Sequence, residues 1–279
     1  MTLESYKRKM MAKMNAAPET KVTCGINKDA YASSKRFLES FYDVPCQQLA
    51  KNLLGHILVR KLSDGTVLRG KIVETECYPG GDDRASHSYQ GKFTERNAPM
   101  YMKPGTAYVY FTYGMYNCFN ISSQGPGAAV LLRAFEPIEG MEYMLQERMK
   151  RRKNPGKIKH HELGNGPSKI CMSMNIDKES CNARNMCSWD GLWVEEGIIS
   201  HSVSDPDWLS AVHPNEVVTS QRIGIDSTGH ESVSKLYRFY ILGNPSVSKR
   251  DKIKENELDS SIEVVPRKMK LLVPTKINI

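Results

Sequence analysis

The chain has 279 residues, enough to bury one sizeable core, and its 40% hydrophobic and 25% charged content is ordinary for a soluble globular protein. Lys and Arg outnumber Asp and Glu by 39 to 31, a net charge of +8 that suits an anionic partner such as nucleic acid or an acidic membrane surface. No apolar run reaches the roughly 18 residues of a membrane span, the N-terminal stretch lacks the apolar core of a secretory signal, and seven cysteines without a close pair argue against a disulfide framework, against a thiolate metal site and for a reducing compartment.

Residues 1–35, with YKRKMMAKM and APETK, are basic and carry no sustained apolar face, so they read as a flexible leader. Lys7, Arg8, Lys9 and Lys13 fit a nuclear signal, a DNA arm or a plain solvated end. Residues 36–248 form the expected single domain. Its first element is a helix over DVPCQQLAKNLLG, with Asp43 at the cap, Pro45 in the first turn and Gly55 as the stop. HILVRKL and VLRGKIVETE, joined by SDGT, predict a β-hairpin, because an Asp-Gly pair between β-prone runs suits the tight turn. AYVYFTY and NCFNISS read as further strands, whereas AAVLLRAF satisfies a strand or a helix equally. EGMEYMLQERMKRR predicts an amphipathic helix running into a basic loop, with seven Lys or Arg between Arg148 and His161, as fit for solvent as for phosphate. LWVEEG and LYRFYILG close the core as strands, and residues 249–279 read as a charged tail that frays.

Two stretches hold side chains fit for chemistry. In VETECYPGGDDRASH, Glu74 and Glu76 lie two apart on a strand and so share a face, just before a turn at Pro79, Gly80 and Gly81. A carboxylate there can take a proton from a water attacking a sugar carbon, although surface pairing with Lys or Arg is the commoner fate of such glutamates. In the second stretch Tyr101, Tyr108, Tyr110, Tyr113 and Tyr116 fall within 16 residues. Tyrosine faces can stack an unpaired base, and they also fill half-buried strand positions. Tyr113, followed by Gly114 and Met115, sits where a turn can push its ring outward as a wedge.

Taken together, LRGKIVETECY from Leu68, the Asp-rich turn ending in Ala85, Ser86 and His87, MYMKPGTAYVYFTYGMYNCFNISSQGPGAAVLLRAFEP from Met100 and GPSKIC from Gly166 resemble the alkyladenine DNA glycosylase family, the animal-type 3-methyladenine DNA glycosylases. The resemblance runs from about Phe37 to about Ser248 in several long strings in the right order. It implies a mixed α/β (α+β) single domain with a curved antiparallel sheet flanked by helices, no metal, no cofactor, and a partner in double-stranded DNA containing damaged purines, bound by a monomer in the nucleus or also the mitochondrion.

The resemblance also implies roles for matched positions. Glu76 corresponds to the base that activates water, and Arg133 holds Glu76 and the water in place. Tyr78 and Tyr110 stack on the flipped base, His87 supplies hydrogen bonds, Asn120 crowds the place of the guanine amino group, and Leu131 packs nearby. Tyr113, beside Met115, fills the gap in the duplex, and Thr94, Arg96, Lys103, Ser168 and Lys169 contact the DNA backbone. No lysine stands at the Glu76 position to form a Schiff base, so the expected product is an abasic site in an uncut strand. The sequence departs from vertebrate members at Cys77, Phe119, Pro126 and around Tyr89 to Glu95, beside the implied pocket. A different class of protein, a nucleic-acid-binding module without turnover, would share the basic surface and the tyrosines. Such a module gains nothing from a carboxylate facing phosphates.

Overall fold

The computed structural model describes residues 2–6, 8–9, 35–150, 157–197 and 211–263. Eight strands form one antiparallel sheet: β1 (Ile57–Lys61), β2 (Val67–Tyr78), β3 (Ala107–Thr112), β4 (Tyr116–Ser122), β5 (Ala129–Glu139), β6 (Leu192–Glu195), β7 (Val217–Ser220) and β8 (Arg238–Ile241). The order across it is β3-β4-β5-β2-β1-β6, and β8 joins β2 to β7. The mixed, single-sheet architecture is the one expected.

The 12-residue β2 organises the sheet, since β5 lines one edge while the other edge is shared by β1 along residues 67–71 and β8 along residues 74–76. The β1–β2 hairpin forms as its Asp-Gly turn requires: Gly65 takes φ +90°, and the Asp64 carboxylate accepts the Thr66 amide at 2.9 Å. AAVLLRAF is a strand, because β4 and β2 both offer it ladder partners. Register shifts on β2 between Arg69 and Thr75 bend the strand just before Glu76.

Short helices cover the sheet: α1 (Glu39–Tyr42), α2 (Cys46–Asn52), α3 (Met141–Met149), α4 (Pro167–Ser173), α5 (Lys178–Cys181), α6 (His230–Ser234) and α7 (Lys252–Glu263). Leu49, Leu53, Leu54, Leu58, Ile72, Phe119, Val130, Leu132 and Phe135 anchor the main core, all under 2% exposed. Two boundaries differ from the sequence expectation. Pro45, not Asp43, caps α2, because Asp43 closes α1 through its amide to the Glu39 carbonyl. Arg148, at the start of the basic stretch, turns inward and donates to the Glu162 and Leu163 carbonyls, while residues 151–156 lie outside the described chain.

The ends also differ from the expected loose segments. Residues 252–263 are helical, because Glu255 is 3% exposed and is held by Arg250 at 2.7 Å and by the Tyr240 hydroxyl at 3.1 Å, while Asp251 accepts from Ser220 at 2.5 Å. Those buried partners on β7 and β8 outweigh the charge alternation that suggested fraying. Within the leader, Tyr6 is 3% exposed. Lys7, Lys13 and residues 264–279 lie outside the described chain.

Candidate active site

Register places the central candidates in one line. Tyr108 stands opposite Asn120, Asn120 opposite Leu131, Leu131 opposite Glu76, and Glu76 opposite Arg238, a row crossing five strands. Directly paired residues of an antiparallel ladder share a face, so this row also fixes the side on which Tyr78, Tyr110 and Arg133, two residues along their strands, project.

At the centre of the row Glu76 is fully buried and meets three donors. The Tyr78 hydroxyl donates to Oε2 at 2.7 Å, while the Ile223 amide at 2.8 Å and Arg133 Nη1 at 3.1 Å reach Oε1. That arrangement fixes the rotamer, loads Oε1 fully and leaves Oε2 with acceptor capacity beyond the tyrosine. Burial, reinforced by Glu76, pushes the Tyr78 hydroxyl well above the ordinary phenol range, so it stays a donor.

Glu74 shares the face, as its spacing predicts, and it is structural. Arg238 Nη1 lies 3.0 Å and Arg133 Nε 3.3 Å from its Oε1, and the Ser248 amide donates to Oε2 at 2.7 Å. Glu74, Glu76, Arg133 and Arg238 thus make a buried cluster of two anions and two cations, none more than 8% exposed at the side chain. Surface pairing, the commoner fate of paired glutamates, is not what the chain does with either.

The base-facing candidates gather around this cluster. His87 Nδ1 is 2.8 Å from the Tyr108 hydroxyl, and its ring meets Tyr110 edge-on at 4.7 Å. Desolvation against those rings, then the positive Arg96 and Lys92, lower its pKa to about 4, so His87 is neutral at pH 7 although one side of the residue remains exposed. Asn120, 5% exposed, donates to the Tyr108 carbonyl at 3.2 Å, and Leu131 packs beside it. Gly80 and Gly127, both at positive φ, let two turns close on Ser88, where any Cβ would come within 2.9 Å of its side chain.

Beyond the row, β3 and β4 end in an exposed tip. Tyr113 is 83% exposed at φ +51° and Gly114 follows at φ +65°, in a turn closed by the Met115 amide to the Thr112 carbonyl at 3.1 Å. Positive φ at a residue bearing a Cβ costs about 1 kcal/mol or more, so this ring is held outward against a local preference. Phe111 and Met115, 50% and 55% exposed, complete an apolar tip.

Arg96 ties a neighbouring segment to that hairpin, donating to the Phe111 carbonyl at 3.3 Å with its guanidinium 5.1 Å from the Tyr110 ring. Thr94 is bound through its amide to Asn97, which in turn donates to the His87 carbonyl at 2.8 Å. Ser168 and Lys169 open α4, just after Asn165, which bridges to Ala134 beside Arg133. Lys103 is not brought into the group: it precedes β3, at the end away from the tip, and pairs with Glu39 at 3.3 Å.

Sequence reasoning missed Arg222 and Asp83. Their ion pair is buried and two-pronged, at 2.5 and 2.7 Å, and Arg222 also donates to the Cys77 carbonyl at 3.0 Å and the Ser232 carbonyl at 3.2 Å. Its guanidinium covers the Tyr78 ring at 4.7 Å, and the next residue, Ile223, supplies the amide that grips Glu76. The Asp-rich turn hinted at a partner, but nothing in SQRIG singles out its arginine. Among the described residues no cluster of His, Cys, Asp and Glu fits a metal ion.

Three known proteins and one family bear on this arrangement. The family described as methylpurine-DNA glycosylase matches residues 40–245. The chain is 46% identical over 240 residues to the DNA-3-methyladenine glycosylase of Mus musculus, covering 84% of this chain and 68% of that protein. It is 46% identical over 221 residues to the DNA-3-methyladenine glycosylase of Homo sapiens, covering 78% and 69%. With the putative 3-methyladenine DNA glycosylase of Clostridium tetani it shares 44% over 213 residues, 75% of this chain and 97% of that one.

Proposed function

The chain belongs to the methylpurine-DNA glycosylase family, DNA-acting hydrolases of N-glycosyl bonds, and on that premise we propose that it removes alkylated and deaminated purines from duplex DNA as a monomer. The substrates in this reading are 3-methyladenine, 7-methylguanine, hypoxanthine and ethenoadenine. The observation that carries it is the single row in which a buried carboxylate, a tyrosine hydroxyl and a guanidinium meet beside tyrosine rings, with a strained aromatic tip at one end of the same sheet.

In the proposed cycle Tyr113 enters the duplex and offsets the stacking lost when a damaged nucleotide swings out, a loss of a few kcal/mol that is smaller for weakened pairs. The extruded base stacks on Tyr78 and Tyr110, with His87 and Leu131 at its edge and Asn120 crowding the site of a guanine amino group. Thr94, Arg96, Ser168 and Lys169 hold the backbone on either side.

Glu76 takes a proton from water as its oxygen bonds to the sugar carbon, and the bond from that carbon to the purine nitrogen breaks with both electrons going to the base. Arg133 keeps the carboxylate in place. A cationic alkylpurine leaves as a neutral base, whereas hypoxanthine or ethenoadenine gains a proton as it departs, so excision of neutral lesions loses rate at high pH first. The products are the free base and an abasic site in an unbroken strand.

Single-turnover excision from duplexes each carrying one of the four lesions tests this reading, scored for released base and strand breakage. Release from lesion duplexes, none from undamaged DNA and no strand cleavage is the expected result. Strand cleavage without added alkali, or equal attack on undamaged purines, contradicts it.

A further inference from the structure

The leader expected to be mobile contributes a folded piece. Residues 3–6 and 8–9 are helical, and Thr2 caps the turn reciprocally with Ser5: each side chain accepts the other's amide, at 3.1 and 3.2 Å. That turn presents Tyr6 inward. The ring, 3% exposed, packs in a cluster of its own with Phe93, Ala98, Met102 and Ala183, separate from the main core.

Polar links flank this contact. The Tyr6 hydroxyl accepts from Asn182 Nδ2 at 3.5 Å, and Asn182 Oδ1 accepts the Val109 amide on β3 at 2.9 Å. Lys9 Nζ pairs with Glu95 at 3.1 Å. Phe93 and Glu95 thus meet the leader, while in the same short segment Thr94 bonds to Asn97 and Arg96 reaches the β3–β4 hairpin, the two residues expected to contact DNA. From there Arg96 covers Tyr110 and Asn97 grips the His87 carbonyl, so the leader is connected to the stacking face in two steps.

We propose that residues 2–6, with Lys9, act as a strut that presets segment 93–97 for duplex binding, with Tyr6 and Lys9 as positioning residues that themselves touch neither base nor backbone. The proposal rests on the reading of Thr94 and Arg96 as DNA contacts. A segment ordered before binding does not pay its ordering entropy on contact, so the strut acts on affinity and leaves the bond-breaking step alone.

Full-length variants read this in two independent ways: amide hydrogen exchange of residues 92–98 without DNA, and single-turnover excision as a function of enzyme concentration. Tyr6→Ala raises exchange across 92–98 and raises the half-saturating concentration about tenfold, with the limiting rate within about twofold of the parent. Tyr6→Phe, which keeps the packing, restores both. Lys9→Glu, exposed and harmless to folding, gives a smaller loss of about twofold to threefold that Glu95→Lys on the same chain reverses. Unchanged exchange over 92–98 in Tyr6→Ala overturns the strut. Faster exchange with an unchanged half-saturating concentration in both Tyr6→Ala and Arg96→Ala overturns instead the DNA-contact reading beneath it. A Tyr6→Ala loss confined to the limiting rate also contradicts the proposal.

Discussion

Glu76, within a strand, and Tyr113, in a turn between two strands of the same sheet, could hardly be held more differently. Glu76, on central β2, is fully buried and gripped by Tyr78, Ile223 and Arg133. Tyr113, in the turn just beyond edge strand β3, is 83% exposed and sits at positive φ, with Met115 55% exposed nearby. The first region is over-determined: each charge has an opposite charge, and each oxygen a donor. The second presents an apolar surface to solvent. A reaction that needs one carboxylate in one orientation and a binding step that needs a ring delivered into another molecule call for those opposite conditions.

The comparison can be broken at either region. The largest expected effect is on the buried side, at Arg222→Met, which strands Asp83 without its partner and removes the support of Tyr78 and Ile223. Loss of one partner of a buried pair costs about 3–5 kcal/mol, so denaturant melts should show a severe drop that Asp83→Asn on the same chain partly restores. Equal stability in parent and variant would mean the pair is not the clamp described here.

At the exposed tip, Tyr113→Ser should leave thermal stability unchanged within about 0.5 kcal/mol, or raise it by removing a strained bulky residue. Lesion-duplex affinity should fall about tenfold, the scale of one lost stacking contact. A fall in melting temperature without a change in affinity would reverse the assignment of roles.

The smallest effect concerns His87, between the two regions. Its folded pKa of about 4 lies below the 6.5 of a free imidazole, so the unfolded chain binds the proton first as pH drops. Its contribution to stability is complete above about pH 6.5 and is lost as pH falls through about 4, modestly, because the residue is partly exposed. Histidine resonances followed by NMR should show one ring titrating near 4 that moves upward in Arg96→Ala. A His87 titration at 6.5 would contradict the desolvation of the ring and, with it, the smaller influence of Arg96.

How far the sequence foretells this molecule depends on the range of each contact. The β1–β2 hairpin was readable because its turn chemistry is local, and Glu74 and Glu76 sharing a face follows from the two-residue period of a strand. The row from Tyr108 to Arg238 is not local, since it needs β8 to return beside β2 across some 160 residues. Arg222 and Asp83, 139 positions apart, were invisible for the same reason, as was the long-range capture of α7 by Tyr240 and Ser220. The resemblance named Glu76, Tyr78, Asn120, Leu131 and Arg133 as one group, and the register gathers them on one face. Tyr6 was hidden among basic neighbours, because a single aromatic in a charged stretch has no period to betray it.

The central claim is that one carboxylate performs the chemistry while binding resides elsewhere. Glu76→Gln keeps the size and an acceptor oxygen but cannot take a proton, so affinity for a hypoxanthine duplex and the single-turnover excision rate should be measured on the same preparation. The account predicts affinity within about threefold of the parent and excision reduced by about 100-fold to 10,000-fold, the range of general base catalysis. Excision at the parental rate with intact binding would contradict it outright.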